Sequence, residues 1–91
     1  MSERDYLLAA TVRQAHLTAE IDWHWKRVGF TEYETLDGKR VSIATSGEQL
    51  RGLPRGTVIH FAYDAKDLPW TVHEMVDALL SSGDFISGKR W

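Results

Sequence analysis

His16, His24, His60 and His73 are the side chains of this chain that titrate near neutral pH, so acid–base or metal chemistry would have to begin with them. None stands in a recognised motif. His73-Glu74 lacks the second histidine, four positions after the first, that a zinc-binding protease helix requires. A site drawn from His24, His60 and His73 with a carboxylate such as Asp64 could be assembled only by the fold. Locally hydrogen-bonded histidines at the surface or core edge are the simpler expectation, and neither a metal nor a cofactor is expected. The chain has no cysteine, which removes thiol catalysis, thiolate metal sites and a disulfide framework together. Ser42, Ser46, Ser81, Ser82 and Ser87 form no G-x-S-x-G elbow and no S-x-x-K pair. Glu32 with Glu34, and Asp64 with Asp67, are paired acids that an exposed strand face or loop explains without a two-carboxylate mechanism. An enzyme is therefore not expected.

Binding chemistry has more to work with. The segment Arg51-Gly52-Leu53-Pro54-Arg55-Gly56 is basic and glycine-rich, but Thr57 follows Gly56 with no lysine between, so it is not a P-loop. A tight helix-to-strand turn accounts for it. Four tryptophans, Trp23, Trp25, Trp70 and Trp91, are a heavy load for 91 residues, and indoles serve both as core filler and as interface anchors. The leading expectation is a non-enzymatic interaction or regulatory module that binds another protein, with Trp23, Trp25, Tyr33 and Arg40 as contact residues. Aromatic and arginine side chains dominate interface hot spots, so Trp25→Ala should weaken partner binding by at least ~2 kcal/mol while the melting temperature barely moves. Nucleic-acid binding is the alternative, since Lys39, Arg40, Arg51 and Arg55 fall in turns, Lys89 and Arg90 fall in the tail, and exposed aromatics stack bases. Thirteen acids against eleven bases give a net charge of −2, so such binding would rest on a local patch. The stretch Gln49 to Ile59 is similar to a turn of many small actinobacterial and phage proteins, a resemblance that implies a bacterial or phage accessory protein and carries no activity.

These side chains must be positioned by one small domain spanning residues 1–91. Ser2 is placed as an N-cap for a helix over residues 5–28, which are free of Gly and Pro, with Lys26, Arg27 and Gly29 as its terminal signal. A competing pattern alternates Leu17, Ala19, Ile21, Trp23 and Trp25 with polar residues, as in a strand after a shorter helix. On a helix Trp23 and Trp25 would point about 200° apart; on a strand they would share a face. Residues 30–36 and 39–45 flank Asp37-Gly38 as a β-hairpin with a type I′ turn. Residues 46–50 form a short capped turn, 57–63 a nearly continuous apolar third strand, and 64–68 a polar connection. Thr71 and Glu74 suggest a capping box, Trp70 and Met75 its staple, and Val72, Met75, Val76, Leu79 and Leu80 an apolar helical stripe ending at Gly83. Residues 84–91 are read as an edge strand or a free tail.

The fold expected is α+β: an N-terminal helix, a three-stranded, mostly antiparallel sheet containing the β-hairpin, and a C-terminal helix packed on one face. One sheet face would then be bare, which predicts a homodimer or another protein partner to cover it. The residues at the start of the chain lack the basic and apolar stretches of a signal peptide, and no window is long and apolar enough to span a membrane. A cytoplasmic protein with no membrane partner is expected.

Overall fold

A computed structural model describes residues 4–91. Among these residues six strands form one mixed sheet: β1 (Asp5–Leu8), β2 (Lys26–Arg27), β3 (Glu32–Glu34), β4 (Arg40–Ala44), β5 (Thr57–Phe61) and β6 (Phe85–Arg90), in the order β2-β3-β4-β1-β5-β6. Two α-helices join them, α1 (Val12–Leu17) and α2 (Trp70–Ser81). The four strands β4-β1-β5-β6 run parallel, while β2 and β3 add an antiparallel flank. This overturns the three-stranded, mostly antiparallel sheet expected from the sequence.

The error begins at the central strand. Tyr6-Leu7-Leu8-Ala9 is a short continuous apolar run, and such a run fits a strand buried on both faces as well as it fits a helix. Here it is a strand, with Leu7, Leu8 and Ala9 wholly buried. Ser2, placed as the cap of a helix, lies outside the described residues. The first helix starts only at Val12, where the Thr11 hydroxyl accepts the Gln14 N–H at 3.2 Å. A π-helical turn, Thr18–Asp22, widens its end.

Neither expectation for residues 17–26 survives intact. The helical path ends at Asp22, and β2 is only the pair Lys26–Arg27. Between them His24 turns the chain at φ 57°, a left-handed conformation unusual outside glycine. That reversal lets both indoles face inward, with Trp23 and Trp25 ring centres 4.9 Å apart.

The hairpin forms as β3 and β4, with Tyr33 opposite Val41 and Glu34 opposite Arg40. Its turn is not type I′: only Gly38, at φ 87°, is left-handed. Residues 36–38 make a three-residue loop closed by Thr35 N–H to Lys39 O at 2.8 Å. The third strand is β5, central between β1 and β6. The C-terminal helix begins one residue before the expected cap, with Pro69 at its N-cap and no side-chain cap bond; Trp70 is 69% exposed and not a staple. Proline fixes the entry dihedral and leaves the first helical N–H groups to its own carbonyl, which Val72 and His73 reach.

Alternation along the strands sends Leu7, Ala9, Val41 and Ile43 to one face and Leu8, Ala44 and Ile59 to the other. Ala15 and Ala19, from α1 and its π turn, cover the first face, together with Trp25 and Tyr33. Val72 and Val76 of α2 cover the second. Among the described residues both faces therefore carry cover from a helix, unlike the sheet with one bare face that was expected to need a homodimer or another protein partner. Full burial of a Leu or Ile is worth roughly 1.5–3 kcal/mol, so each of these two layers contributes substantially to holding the sheet. No helix among the described residues is long and apolar enough to cross a membrane.

Candidate functional site

The carboxyl ends of β5 and β6 open on a cleft of about 380 Å³. Phe61, Tyr63, Lys66, His73, Arg90 and Trp91 line it. Parallel pairing of β5 with β6 sets Arg90 opposite Phe61, where the guanidinium carbon lies 4.0 Å from the ring centre. Trp91 follows in extended pairing, its N–H donating to Phe61 O at 3.0 Å. Its indole meets Tyr63 edge to face at 4.4 Å and donates through Nε1 to the Asp22 carboxylate. A 3₁₀ segment, Tyr63–Asp67, brings the Lys66 ammonium to 4.3 Å over the Tyr63 ring. Cations already held over π faces lose little freedom when an anion approaches them. From α2, His73 and Asp77 complete the wall.

Beside the cleft, Asp64 has a different task. Its carboxylate accepts the Ala10 N–H at 3.0 Å, the Thr11 N–H at 3.0 Å and the Thr11 hydroxyl at 2.9 Å. It thereby ties the loop after β1 to the loop after β5.

The second ring-lined hollow, about 470 Å³, lies on the opposite sheet face, between the β3–β4 turn and Trp25. At its floor His60 Nε2 faces Asp5 Oδ2 at 3.3 Å, and His60 Nδ1 accepts the Lys89 N–H at 2.9 Å. The latter bond assigns the ring proton to Nε2. Burial pushes the His60 imidazolium pKa below the usual histidine value, against the pull of Asp5. Asp5 Oδ1 has no hydrogen bond among the described residues, although the Lys39 ammonium stands 3.6 Å away. With both nitrogens committed, His60 has no lone pair to offer a substrate.

A third cluster sits against the π turn. Tyr33 is wholly buried and donates its phenol proton to Glu20, while His16 Nδ1 donates to the phenol oxygen. Burial, then the Glu20 bond, holds the Tyr33 phenol well above the usual tyrosine range. Burial and the nearby Arg27 push the His16 imidazolium below its ordinary value. The cluster fixes β3 against the helix.

Of the side chains singled out from the sequence for partner contact, Trp25 and Tyr33 lie in the core, Trp23 is partly buried and Arg40 is exposed beside Glu34. The basic residues of the turns are drawn into ion pairs: Lys39 with Asp5, Arg51 with Glu48 at 3.7 Å and Arg55 with Asp84 at 3.5 Å. His24, His60 and His73 are not brought together: His24 is exposed on its turn, His60 lies beneath Trp25, and His73 is across the sheet on α2. Among the described residues no group of three or more His, Asp or Glu could hold a metal ion.

Sequence reasoning passed over Tyr63 and Lys66 as site residues, and it reached Arg90 only as one of the basic residues of the tail. Their meeting depends on a parallel crossover of more than twenty residues, and no local pattern records it. Comparison with protein-family models, with curated proteins and with solved structures finds no match to this chain.

Proposed function

We propose that the protein is a nucleic-acid-binding module that holds a nucleotide unit of a single strand in the cleft at the carboxyl ends of β5 and β6. The observation that carries this is the convergence of two exposed aromatic residues, Tyr63 and Trp91, with the two cations Lys66 and Arg90. Ligands of parallel α/β sheets bind outside the carboxyl ends of the strands. Single-strand binders pair stacking platforms, each worth ~1–3 kcal/mol per base, with cations that follow the backbone. The net charge of −2 makes this a local attraction.

Trp91 is 58% exposed, so its fluorescence reports occupancy directly. Titration with a single-stranded ten-nucleotide DNA, its RNA counterpart and a mononucleotide should quench that emission, and Trp91→Ala should abolish the response. With two phosphate-facing cations the plot of log affinity against log salt should have a slope near ~−1.4, at ~0.7 per contact for single strands. Binding by the mononucleotide as tight as by the ten-mer would move the proposal to a free nucleotide. No quenching by any of the three at low salt would refute it.

A protein partner is the second reading, favoured by Phe30 and Leu36, which are 83% and 82% exposed. They stand on the connections at the two ends of β3. Affinity capture with and without nuclease separates the two: a nuclease-resistant, stoichiometric protein retained by the wild type and lost with Phe30→Ser and Leu36→Ser supports the second.

A further inference from the structure

The end of β6 that carries Arg90 and Trp91 is out of simple register with β5. Thr57, Val58 and Ile59 pair with Phe85, Ile86 and Ser87, but Phe61 pairs with Arg90, so Gly88 and Lys89 together face His60. Such a bulge leaves a backbone N–H without a ladder partner. Here that N–H is on Lys89, and it donates to the side chain of the residue opposite, His60 Nδ1. Gly88 makes the approach possible, because a Cβ there would lie 2.5 Å from His60 Nδ1 and 2.8 Å from Val58 Cγ1. Beyond the bulge every side chain has changed face: without the extra residue Arg90 would leave Phe61, and Trp91 would turn away with it.

We propose that His60 is the positioning residue of the cleft: its neutral ring fixes the β6 bulge through Lys89, and protonation of that ring releases Arg90 and Trp91 from their places. The ligand part of this inference rests on the nucleic-acid reading above; the bulge part does not. The groups that face His60 are Asp5 on β1, Asp37 and Lys39 from the β3–β4 turn, and Lys89 on β6, with the uncharged rings of Trp23 and Trp25 above it. A proton on Nδ1 would set two N–H donors against each other across 2.9 Å, whatever Asp5 contributes at Nε2. Burial disfavours the charged ring, so the neutral form is the one present at neutral pH.

The sign of the effect is diagnostic. Acidification ordinarily adds positive charge to histidines and strengthens phosphate binding. Loss of the cleft predicts the reverse: at constant ionic strength the ten-nucleotide DNA should bind progressively more weakly, not more tightly, as the pH is lowered from 7.5 through the folded His60 value, reaching at least a fivefold loss once the ring is protonated. Two variants separate positioning from simple burial. In His60→Asn the amide oxygen replaces Nδ1 as acceptor without titrating, so affinity should keep only the ordinary rise on acidification. In His60→Gln the contact to Asp5 can persist while the bulge acceptor is lost, so affinity should already be low at pH 7.5. Amide hydrogen exchange without ligand supplies an independent arm: Lys89 and Trp91 N–H should be protected at pH 7.5 and, after correction for intrinsic rates, lose protection as the pH is lowered until the His60 ring titrates in the wild type, but not over the same range in His60→Asn. If no DNA is bound at any pH, the nucleic-acid reading fails and the exchange data alone decide the bulge. Protection of Lys89 that is unchanged by pH in the wild type, or equal in His60→Asn and His60→Gln, would overturn the inference.

Discussion

Substitution of Gly88 by alanine is the most direct perturbation of the packing that links β5 to β6. The added Cβ would meet His60 Nδ1 at 2.5 Å, His60 Cε1 at 2.7 Å and Val58 Cγ1 at 2.8 Å. No flexible side-chain end yields here, because the His60 ring is pinned by Asp5 and Lys89 and covered by Trp25 at 4.9 Å between ring centres. If the strands part to admit the methyl, the cost is that of overpacking, ~1–3 kcal/mol. If His60 is expelled instead, the buried Asp5 carboxylate loses the hydrogen bond from His60 and keeps only the Lys39 ammonium at 3.6 Å, at ~1–3 kcal/mol. Either route gives an expected loss of about 1–3 kcal/mol, out of a total of ~5–14 kcal/mol for a domain of this length. Urea unfolding followed by tryptophan fluorescence measures it, as a lowered midpoint at constant slope. A double-mutant cycle with His60→Ala assigns it: with the ring gone only the Val58 contact remains, so Gly88→Ala should cost at least ~1 kcal/mol less in that background. A Gly88→Ala cost below ~0.5 kcal/mol, or one equal in both backgrounds, would refute the account of Gly88 as the residue that admits His60.

Trp25→Ala should destabilise the protein by ~3–5 kcal/mol, because the indole is 4% exposed and its removal empties the space over His60; a melting temperature within a few degrees of wild type would argue against that placement. Asp64→Ala removes the acceptor of two N–H groups and one hydroxyl and should cost ~1–3 kcal/mol, read by urea unfolding, with Asp64→Asn recovering part of it. Stability should also fall on acidification. The His60 pKa is lowered in the fold, so its contribution is fully present above the unfolded value of ~6.5 and is lost as pH falls through the folded value. His16 is displaced in the same direction, so His60→Asn should flatten the urea midpoint between pH 8 and pH 5 in part and His16→Gln should flatten the remainder; a midpoint that rises on acidification would contradict both.

What the sequence disclosed and what it hid divide by range. The hairpin around Gly38 and the helix from Trp70 to Ser81 were legible because their signals are local: a turn dipeptide, and an apolar stripe at helical spacing. The strand at Asp5–Leu8 was not, since the apolar run it enters, Tyr6 to Ala9, has no period to read. The edge strand β6 was legible only as a possibility, because its partner is more than twenty residues upstream and its pairing is parallel. The indoles of Trp23 and Trp25 were placed by a left-handed histidine, which neither a helical nor a strand period could anticipate. For the cleft, Tyr63 and Trp91 stand far apart in sequence, and what joins them is the β5–α2–β6 crossover.

The position of the cleft follows from how the fold uses Asp64. In an open parallel sheet the natural binding crevice lies where neighbouring strands send their connections to opposite faces. That point here is between β1, whose chain leaves over the face that α1 covers, and β5, whose chain leaves toward α2. The amides of Ala10 and Thr11 turn toward it, as they would toward a bound phosphate, but they are taken by the chain's own carboxylate. An anion arriving there would meet Asp64 instead of free donors. The carboxyl-end space still open is one strand further along, between β5 and β6, and its cations and rings come from the residues that follow those two strands. The geometry of the cleft therefore depends on the register of β6, which is set by one glycine, one bulge and the Lys89 N–H to His60 Nδ1 bond.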